Sequence, residues 1–418
     1  MAVSSHISEN NLSDMKNIFL SIITLMTLAS CRETVRTITV SNTLDFARQE
    51  MVEVVLDDSL CSVVEPMVLL DAAGKEVAYQ KTYDGKMVFV ADVPANGSSD
   101  YTLHFGKTPS PIATVATGAV YPNRVDDIAW ENDRIAFRAY GPALQASGEK
   151  AYGYDVWVKR VEEPVVDVRY AQELNTVTLA QIAQLREEGK ADEADALYQS
   201  VSYHVDHGNG LDCYKVGPTL GGGATALLVD GKIIYPYCYK SCDILDNGPL
   251  RFTVRLVYNP TEIAGKQVTE TRLITLDKGS QLNRTIVSYE GVDDTMVVVA
   301  GPVVHHAGGG NYIVNDEVGY VAYQDPRDNP DNGNGDIFVG AAFPMQLTSA
   351  QLELYDEEEA AARGAYGHVL GYMSYKPGDQ LTYYWGAGWS KWGFADFATW
   401  ADYMCRAAQS ARTPLTIE

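Results

Sequence analysis

The sequence predicts a mostly β protein in which a small N-terminal β-sandwich, residues 32–115, precedes a large antiparallel β-sandwich, residues 116–418. Short runs of alternating apolar and polar residues recur along both parts, and turn residues separate them at regular intervals. One long segment, 171–200, instead has apolar residues at helical spacing and predicts a short helical insertion. With 46% hydrophobic and 21% charged residues, the composition is that of a globular protein and excludes global disorder.

The first 31 residues predict a leader rather than part of the fold. A short charged start at 15–17 precedes an apolar run at 18–28 that is too short for a stable membrane anchor. Residues 28–31 then resemble a bacterial lipobox, which implies cleavage before Cys31 and lipidation of that cysteine. We therefore expect a periplasmic lipoprotein of the outer or inner membrane whose lipid anchor is its only membrane contact.

Strand-like runs joined by tight turns predict the N-terminal sandwich. Hairpin-type turns fall at 72–75 and 84–85, and a proline-rich sequence at 109–111 marks the linker that follows. The expected strands are 37–41, 50–55, 63–70, 86–91 and 100–104.

The larger part also reads as strands, with helices only at a few places. Residues 351–363 predict a short acidic helix, and an aromatic, glycine-punctuated stretch at 383–392 precedes an amphipathic helix that ends near 410. The expected strands are 134–140, 156–160, 225–229, 232–237, 250–258, 267–276, 281–289 and 296–304.

The net charge of the chain limits which molecules it is expected to bind. The 32 basic and 55 acidic residues give a net charge of −23, which argues against binding to nucleic acid. An acidic substrate would therefore need a local cluster of Arg or Lys. Twenty-six tyrosines and six tryptophans offer aromatic faces for sugar rings, although most of them are expected in the core.

Polar chemistry is concentrated in the stretch 203–223. It contains His204 and His207 with Asp206 between them, and glycines that let the backbone fold tightly around a ligand. In a regular strand the two histidines would face opposite ways, so a bulge or strand end near Asp206 is needed to bring them together. The alternative is a polar strand end whose histidines bond to neighbouring carbonyls. Further ionisable or phenolic groups follow at Asp212, Cys213, Tyr214 and Lys215.

Several long motifs resemble an uncharacterised-domain family from polysaccharide-utilisation loci of Bacteroidota. The motifs lie at 131–144, 155–160, 203–220, 235–240, 245–258 and 388–393. The resemblance covers nearly all of the mature chain and implies a galactose-mutarotase-like β-supersandwich. The family is also similar to an oligosaccharide dehydratase of the ulvan pathway, which implies removal of water from a non-reducing-end uronic acid. The insertion at 171–200 is not part of the resemblance.

Such a β-elimination needs a base for the C5 proton, a cation for the carboxylate and an acid for the leaving oxygen at C4. His207 and Tyr214 are candidates for base or acid. His305 and His306 are a further pair, of which one should face the cleft because neighbours on a strand face opposite ways. The catalytic candidates are His207, Tyr214, His306 and Arg138. The substrate-binding candidates are Lys215, Arg255, His305, Tyr140, Tyr235, Tyr237, Trp389 and Lys391. We expect the two histidine-bearing stretches to meet in one cleft.

The sequence assigns no cofactor, and it leaves open whether the protein binds a divalent metal ion, zinc or calcium. His204 and Asp206 could join the other histidines in a zinc-type site if the two stretches are neighbours. The loop 325–336 could bind calcium through oxygen ligands, with an exposed turn as the alternative. Cys238 and Cys242 predict buried thiols or one disulfide rather than a metal centre.

Two other functions remain open from the sequence. A lyase or hydrolase of the same fold would act on the same kind of oligosaccharide or polysaccharide, but a hydrolase needs two carboxylates across a cleft and no motif pairs any. The second alternative is a lipid-anchored glycan-binding protein. It predicts aromatic side chains at the site, without His, Tyr and Arg positioned together.

Overall fold

The computed structural model describes residues 35–55, 66–326 and 333–418. The leader and Cys31 lie outside the described residues. The paired strands of the described sheets are antiparallel and helices are few, so the predicted mostly β, sandwich-rich fold is confirmed. Within the same ranges, no helix is both long and apolar enough to cross a membrane.

The N-terminal sandwich consists of a five-stranded and a three-stranded sheet. The chain's last strand, β28 (Thr416–Ile417), pairs with the first strand, so the two ends of the chain meet in this sandwich. Val40, Leu69, Phe89 and Leu103 are fully buried between the sheets. The strands are β1 (Val35–Asn42), β2 (Arg48–Val55), β3 (Met67–Asp71), β4 (Glu76–Val77), β5 (Tyr79–Lys81), β6 (Lys86–Val93) and β7 (Gly97–Phe105), in the orders β28-β1-β7-β3-β4 and β2-β6-β5.

A second five-stranded sheet carries most of the candidate site. Its strands are β8 (Thr117–Tyr121), β9 (Asp127–Glu131), β10 (Ile135–Ala139), β11 (Tyr154–Lys159) and β12 (Gly210–Asp212), in the order β12-β11-β10-β9-β8. Every residue of β9, β10, β11 and β12 is buried, because both faces of this sheet are covered. A 3-10 turn (Pro122–Arg124) and helix α1 (Pro142–Ala146) lie at its edges.

The two faces of this sheet differ in chemistry. Phe137 and Val156 face the large apolar core. The opposite face carries charged side chains, among them Arg138, Asp155 and Lys159, and it is covered by the helical insertion. That insertion is three helices: α2 (Val166–Glu173), α3 (Thr176–Glu187) and α4 (Ala191–Val201). It begins at 166 rather than 171, and Asn175 and Gly189 separate the helices.

Carboxylates, of which Glu131 is buried and Glu173 partly exposed, hold the insertion at both ends. Glu131, paired with Lys159 at 2.6 Å, accepts the backbone N–H groups of Val165 and Val166 at 2.9 and 2.8 Å, which satisfies the start of α2. At the far end, Glu173 accepts the N–H of Tyr203 at 2.8 Å. The insertion is therefore a fixed part of the fold that closes the charged face of the sheet.

Two larger sheets complete the molecule. The six-stranded sheet has the order β14-β13-β20-β26-β21, with β25 also paired to β26. Its strands are β13 (Thr225–Val229), β14 (Lys232–Ile234), β20 (Met296–Ala300), β21 (Val303–Val304), β25 (Ser349–Leu354) and β26 (Gly367–Tyr375). The nine-stranded sheet consists of β15 (Tyr239–Asn247), β16 (Arg251–Tyr258), β17 (Thr261–Ile263), β18 (Lys266–Asp277), β19 (Leu282–Glu290), β22 (Tyr312–Asn315), β23 (Tyr320–Asp325), β24 (Ile337–Ala342) and β27 (Leu381–Trp389).

One continuous core joins these sheets. Trp385 of β27 stacks on Tyr154 of β11 with ring centroids 4.0 Å apart, which ties the nine-stranded sheet to the five-stranded one. Helix α6 (Phe397–Arg412) covers the outer face of the nine-stranded sheet, where Trp400 packs against Phe338. Helix α5 (Glu357–Arg363) is shorter than expected, because 349–354 forms strand β25.

Candidate active site

The charged face of the five-stranded sheet is organised around Arg138. Arg138 of β10 lies directly opposite Asp155 of β11 in the strand register, and its Nη2 donates to the carboxylates of Asp155 and, at 3.2 Å, Asp212. Its Nη1 is 3.9 Å from Oδ2 of Asp127. The guanidinium also lies 5.1 Å from the ring of Tyr140. Side chains on adjacent strands at matching positions face the same side of a sheet, so this clustering follows from the register.

Burial dominates the electrostatics of this cluster. The three carboxylates are at most 2% exposed. Burial, together with repulsion from Asp155, raises the pKa of Asp212 to about 7. Burial also raises the pKa of Asp127 to about 6, against the lowering effect of Arg138. Burial alone would lower the pKa of Arg138, but Asp155, Tyr140 and Asp212 raise it well above its ordinary value. Arg138 therefore stays charged and holds carboxylates of this protein.

A second group of polar side chains lies beside the first. The hydroxyl of Tyr214 is buried and has no hydrogen-bond partner among the described residues. Its ring meets His305 edge-on, with centroids 5.9 Å apart. Nδ1 of His305 is 2.7 Å from Oδ2 of Asp325, and the hydroxyl of Tyr323 accepts the backbone N–H of His305 at 3.0 Å. When the ring is neutral and Nδ1–H donates to Asp325, Nε2 carries the free lone pair.

Tyr214 joins the two groups. Burial, followed by the charge of Asp325 and then the neighbouring Tyr323, Asp155 and Tyr140, raises the pKa of Tyr214 well above its ordinary value. The backbone N–H of Tyr214 also donates to the carboxylate of Asp212. The Arg138 cluster and the His305–Asp325 pair are thus two sides of one site, and the phenol between them keeps its proton at neutral pH.

His204 lies at the exposed edge of this site. Its Nδ1 is 3.0 Å from the carbonyl oxygen of Asp212 and 3.8 Å from Oδ2 of the same residue, while its side chain is 51% exposed. Since a carbonyl oxygen can only accept, Nδ1 carries the proton and Nε2 is left towards solvent.

The other predicted histidines lie in different surroundings. Nε2 of His207 is 3.0 Å from the carbonyl oxygen of Ser202. Asp206 accepts the N–H groups of Gly208 and Gly210 at 2.9 and 3.0 Å and pairs with Arg160, so it shapes the turn instead of binding a metal with His204. His306 is exposed, whereas His305 is turned inward. Of the two neighbours, His305 contacts Tyr214.

Several predicted binding residues contact other parts of the protein. Arg255 lies on β16 and pairs with Asp243 at 2.9 Å, with both side chains about half exposed. Trp389 is 2% exposed and its Nε1 donates to the carbonyl of Asn334 at 2.7 Å. Lys391 lies 5.5 Å from the Trp389 ring, in a cation–π contact. Trp389 therefore serves the core instead of presenting its face to a ligand.

The described residues contain no group of three or more His, Cys, Asp or Glu side chains placed to hold a metal ion. Part of the loop 325–336, considered for calcium, lies outside the described residues. Cys238 and Cys242 are free thiols, which decides between the two alternatives that the sequence left open.

Three predicted binding residues lie on the neighbouring side of the stretch 203–223. Tyr235 and Tyr237 line a cavity of about 340 Å³. Lys215 is exposed, and its Nζ lies 3.3 Å from the position that a Cβ on Gly364 would occupy. Lys215 thus reaches the C-terminal end of α5, whose residues Ala362 and Arg363 line this cavity.

The sequence did not single out Asp155, Asp325, Asp127 or Tyr323 as site residues. Asp155 opens the motif at 155–160, but no local pattern places it opposite Arg138. Asp325 opens a loop that was considered for calcium, although its carboxylate orients His305. These residues become neighbours of the predicted site residues only when strands that are distant in sequence pair.

Comparison with solved structures shows weak overall similarity. A protein in the glycosyl hydrolase family 38 from Enterococcus faecalis aligns with a TM-score of 0.46 and 10% identity, over 98% of this chain and 51% of that one. An alpha-mannosidase from Enterococcus faecalis V583 aligns with a TM-score of 0.41 and 10% identity, over 98% of this chain and 49% of that one. The chain spans about half the length of these structures.

Sequence comparison is more informative. An uncharacterized protein P7 from Formosa agariphila is 25% identical over 403 residues, which cover 91% of this chain and 93% of that protein. A family model described as "Domain of unknown function (DUF4861)" matches residues 40–417. This match confirms the predicted membership of an uncharacterised-domain family, and the chain belongs to the DUF4861 family.

Proposed function

We propose that this protein is a carbohydrate-active enzyme that performs a β-elimination on the non-reducing-end uronic acid of an oligosaccharide, releasing water. The observation that carries the proposal is the buried, unpartnered hydroxyl of Tyr214 beside the His305–Asp325 pair. A neutral phenol and an oriented imidazole are a matched acid and base for this chemistry.

In the proposed step, Nε2 of His305 takes the proton from C5 of the uronic acid. The electron pair of the C5–H bond forms the C4–C5 double bond, and the C4–O4 bond breaks. Tyr214 gives its proton to O4, which leaves as water. The proton on His305 then returns to the Tyr214 oxygen, so the enzyme is unchanged and the sugar has lost one water.

The carboxylate of the substrate must be neutralised to make the C5 proton acidic. Lys215 is the exposed cation next to Tyr214 and supplies this charge in our proposal. Arg138 does not contact the substrate in this proposal. It binds the carboxylate of Asp212, which in turn accepts the backbone N–H of Tyr214. We thus assign Arg138 a positioning role.

Elimination fits the site better than hydrolysis. Glycoside hydrolysis uses two carboxyl groups that flank the scissile bond at about 5–10 Å from one another. Asp127, Asp155 and Asp212 all lie around the guanidinium of Arg138, so they are poorly placed to flank a glycosidic bond. We further propose a periplasmic location, which rests on the lipobox-like sequence at 28–31.

The test is to incubate the purified protein with uronic-acid oligosaccharides and follow ultraviolet absorbance of unsaturated uronates, with mass spectrometry of the products. An absorbing product lighter by one water is expected. Two absorbing fragments would mean a lyase, fragments that gain water without absorbing would mean a hydrolase, and binding without turnover would mean a glycan-binding protein. Each of these three results would overturn dehydration. Tyr214→Phe should lose turnover, whereas Tyr366→Phe, an exposed tyrosine outside the site, should keep it.

A further inference from the structure

A cavity beside the candidate active site has the features of a sugar subsite. Its volume is about 340 Å³, and its lining residues are Lys150, Tyr152, Pro218, Tyr235, Tyr237, Glu359, Ala362 and Arg363. The ring of Tyr152 lies 6.0 Å from that of Tyr235 and 5.4 Å from that of Tyr237, at tilted angles, and all three side chains are partly exposed. Aromatic faces of this kind stack on the apolar faces of sugars.

A chain of hydrogen bonds leads from a buried histidine to the hydroxyl of Tyr235. The backbone N–H of Leu220 can only donate, so Nε2 of His368, 3.1 Å away, accepts. Burial, and then the charges of Arg363 and His305, lowers the pKa of His368 to about 3, so the ring is neutral and its proton is on Nδ1.

The hydrogen bonds continue from His368 through Tyr355 to Tyr235 at the cavity. Nδ1 of His368 lies 2.9 Å from the hydroxyl of Tyr355, which accepts. That hydroxyl is 2.7 Å from the hydroxyl of Tyr235, and its one proton is free to point at the Tyr235 oxygen. With the Tyr355 proton in that hydrogen bond, the O–H of Tyr235 is left to donate, and Tyr235 lines the cavity. The buried histidine thus favours this hydroxyl as a donor for an acceptor group in the cavity.

The charges of the lining residues favour an anion. Arg363 lies over the ring of Tyr235 at 4.0 Å, and its Nε and Nη1 donate to Glu359 and to the carbonyl of Pro218. Among the described residues, its Nη2 has no acceptor. Lys150 also lines the cavity and adds a second positive charge, so its lining residues include two cations and the single carboxylate of Glu359. A donor hydroxyl and a surplus of positive charge recognise an acidic group.

We propose that this cavity binds a sugar unit bearing an anionic group, a carboxylate or a sulfate ester, adjacent to the unit on which Tyr214 acts. The stretch 203–223 connects the two places, because Tyr214 belongs to the candidate active site and Pro218 lines the cavity. The inference rests on the proposed function only in taking the ligand to be a glycan, and it can be tested without turnover.

Binding is measured by titration calorimetry on the full chain carrying Tyr214→Phe, which prevents turnover. Three oligosaccharides of equal length serve as probes: one with uronic acids, one of neutral sugars with sulfate esters, and one uncharged. We expect tight binding of at least one acidic probe, and the preferred one identifies the anionic group. Adding Tyr235→Phe keeps the ring and removes the donor, and should weaken acidic binding about tenfold or more. Tyr366→Phe is the matched control and should change nothing.

A second variant tests the charge without touching the core. Lys150 is exposed, so Lys150→Gln should weaken acidic binding a few-fold at low salt and by less at high salt. Equal affinity for the charged and uncharged probes, an unchanged affinity in Tyr235→Phe, or no binding of any probe would each overturn the subsite. Binding that follows these expectations in a protein without dehydratase turnover would leave the subsite standing and remove only the proposed reaction.

Discussion

Replacing Arg138 by methionine should destabilise the protein strongly at pH 8 and much less at pH 5. Arg138 is the cation that contacts three buried carboxylates, Asp127, Asp155 and Asp212. Removing one partner of a buried ionic network leaves uncompensated charge and costs about 3–5 kcal/mol, even though replacing a whole network by apolar residues can be neutral. We expect a loss in this range at pH 8, which lies above the raised pKa values of both Asp127 and Asp212.

The pH dependence follows from the raised pKa values. The folded-state pKa of Asp127 is about 6 and that of Asp212 about 7, both above their ordinary 3.8. The folded protein therefore binds more protons than the unfolded chain between these values, and their contribution to stability is present below pH 4 and is lost as pH rises to 7. At pH 5 both are mostly protonated, fewer negative charges depend on Arg138, and the cost of Arg138→Met should fall to about 1–2 kcal/mol.

The measurement is urea unfolding followed by tryptophan fluorescence. The six tryptophans all lie after residue 116, so the signal reports on the large domain alone. Arg255→Met is the control, because the Arg255–Asp243 pair is about half exposed on another sheet and should contribute under about 1 kcal/mol at either pH. An Arg138→Met cost that is equal at pH 5 and pH 8 would mean that the carboxylates do not depend on Arg138 for their charge.

Three further predictions test the site and the domain interface. Tyr214→Phe should lower kcat about 10²- to 10⁴-fold yet leave the melting temperature unchanged or higher, because its buried hydroxyl has no partner to lose; a lower melting temperature would contradict this. Asp325→Asn should lower kcat about 10²-fold or more by releasing His305, and unaltered kinetics would remove the pair from the mechanism. Burial would raise the pKa of Glu53, but Arg284, Arg251 and a lysine lower it to about 2. Glu53→Gln should therefore cost about 2 kcal/mol of unfolding free energy above pH 4.5 and less as pH falls towards 2, measured by calorimetric unfolding. A cost that stays the same down to pH 2 would show that the carboxylate is not held by these cations.

Local pattern was enough to predict the class of fold. Alternation of apolar and polar residues indicated antiparallel strands, and helical spacing located the insertion, because these periods follow directly from strand and helix geometry. Polar density in the stretch 203–223 also pointed to residues of the candidate site, including Tyr214. In addition, neighbouring strand positions implied that one of His305 and His306 faces inward.

The tertiary structure decided the partners of these residues. Arg138 was predicted as a catalytic residue, and no protein partner was assigned to it, whereas strand register places Asp155 opposite it and the chain's later return as β12 adds Asp212. His305 rather than His306 contacts Tyr214, and Trp389 is buried in the core.

The physical reason is that periodicity is local, whereas pairing is not. A strand's sequence determines which side chains share a face, but the entropy of closing long loops and the burial of apolar surface select which strands become neighbours. Asp155 and Asp212 are separated in sequence by the helical insertion and meet only because β11 and β12 pair. The sequence by itself therefore determined the kinds of elements and many of the candidate residues, and the folded chain alone determined which side chains lie together.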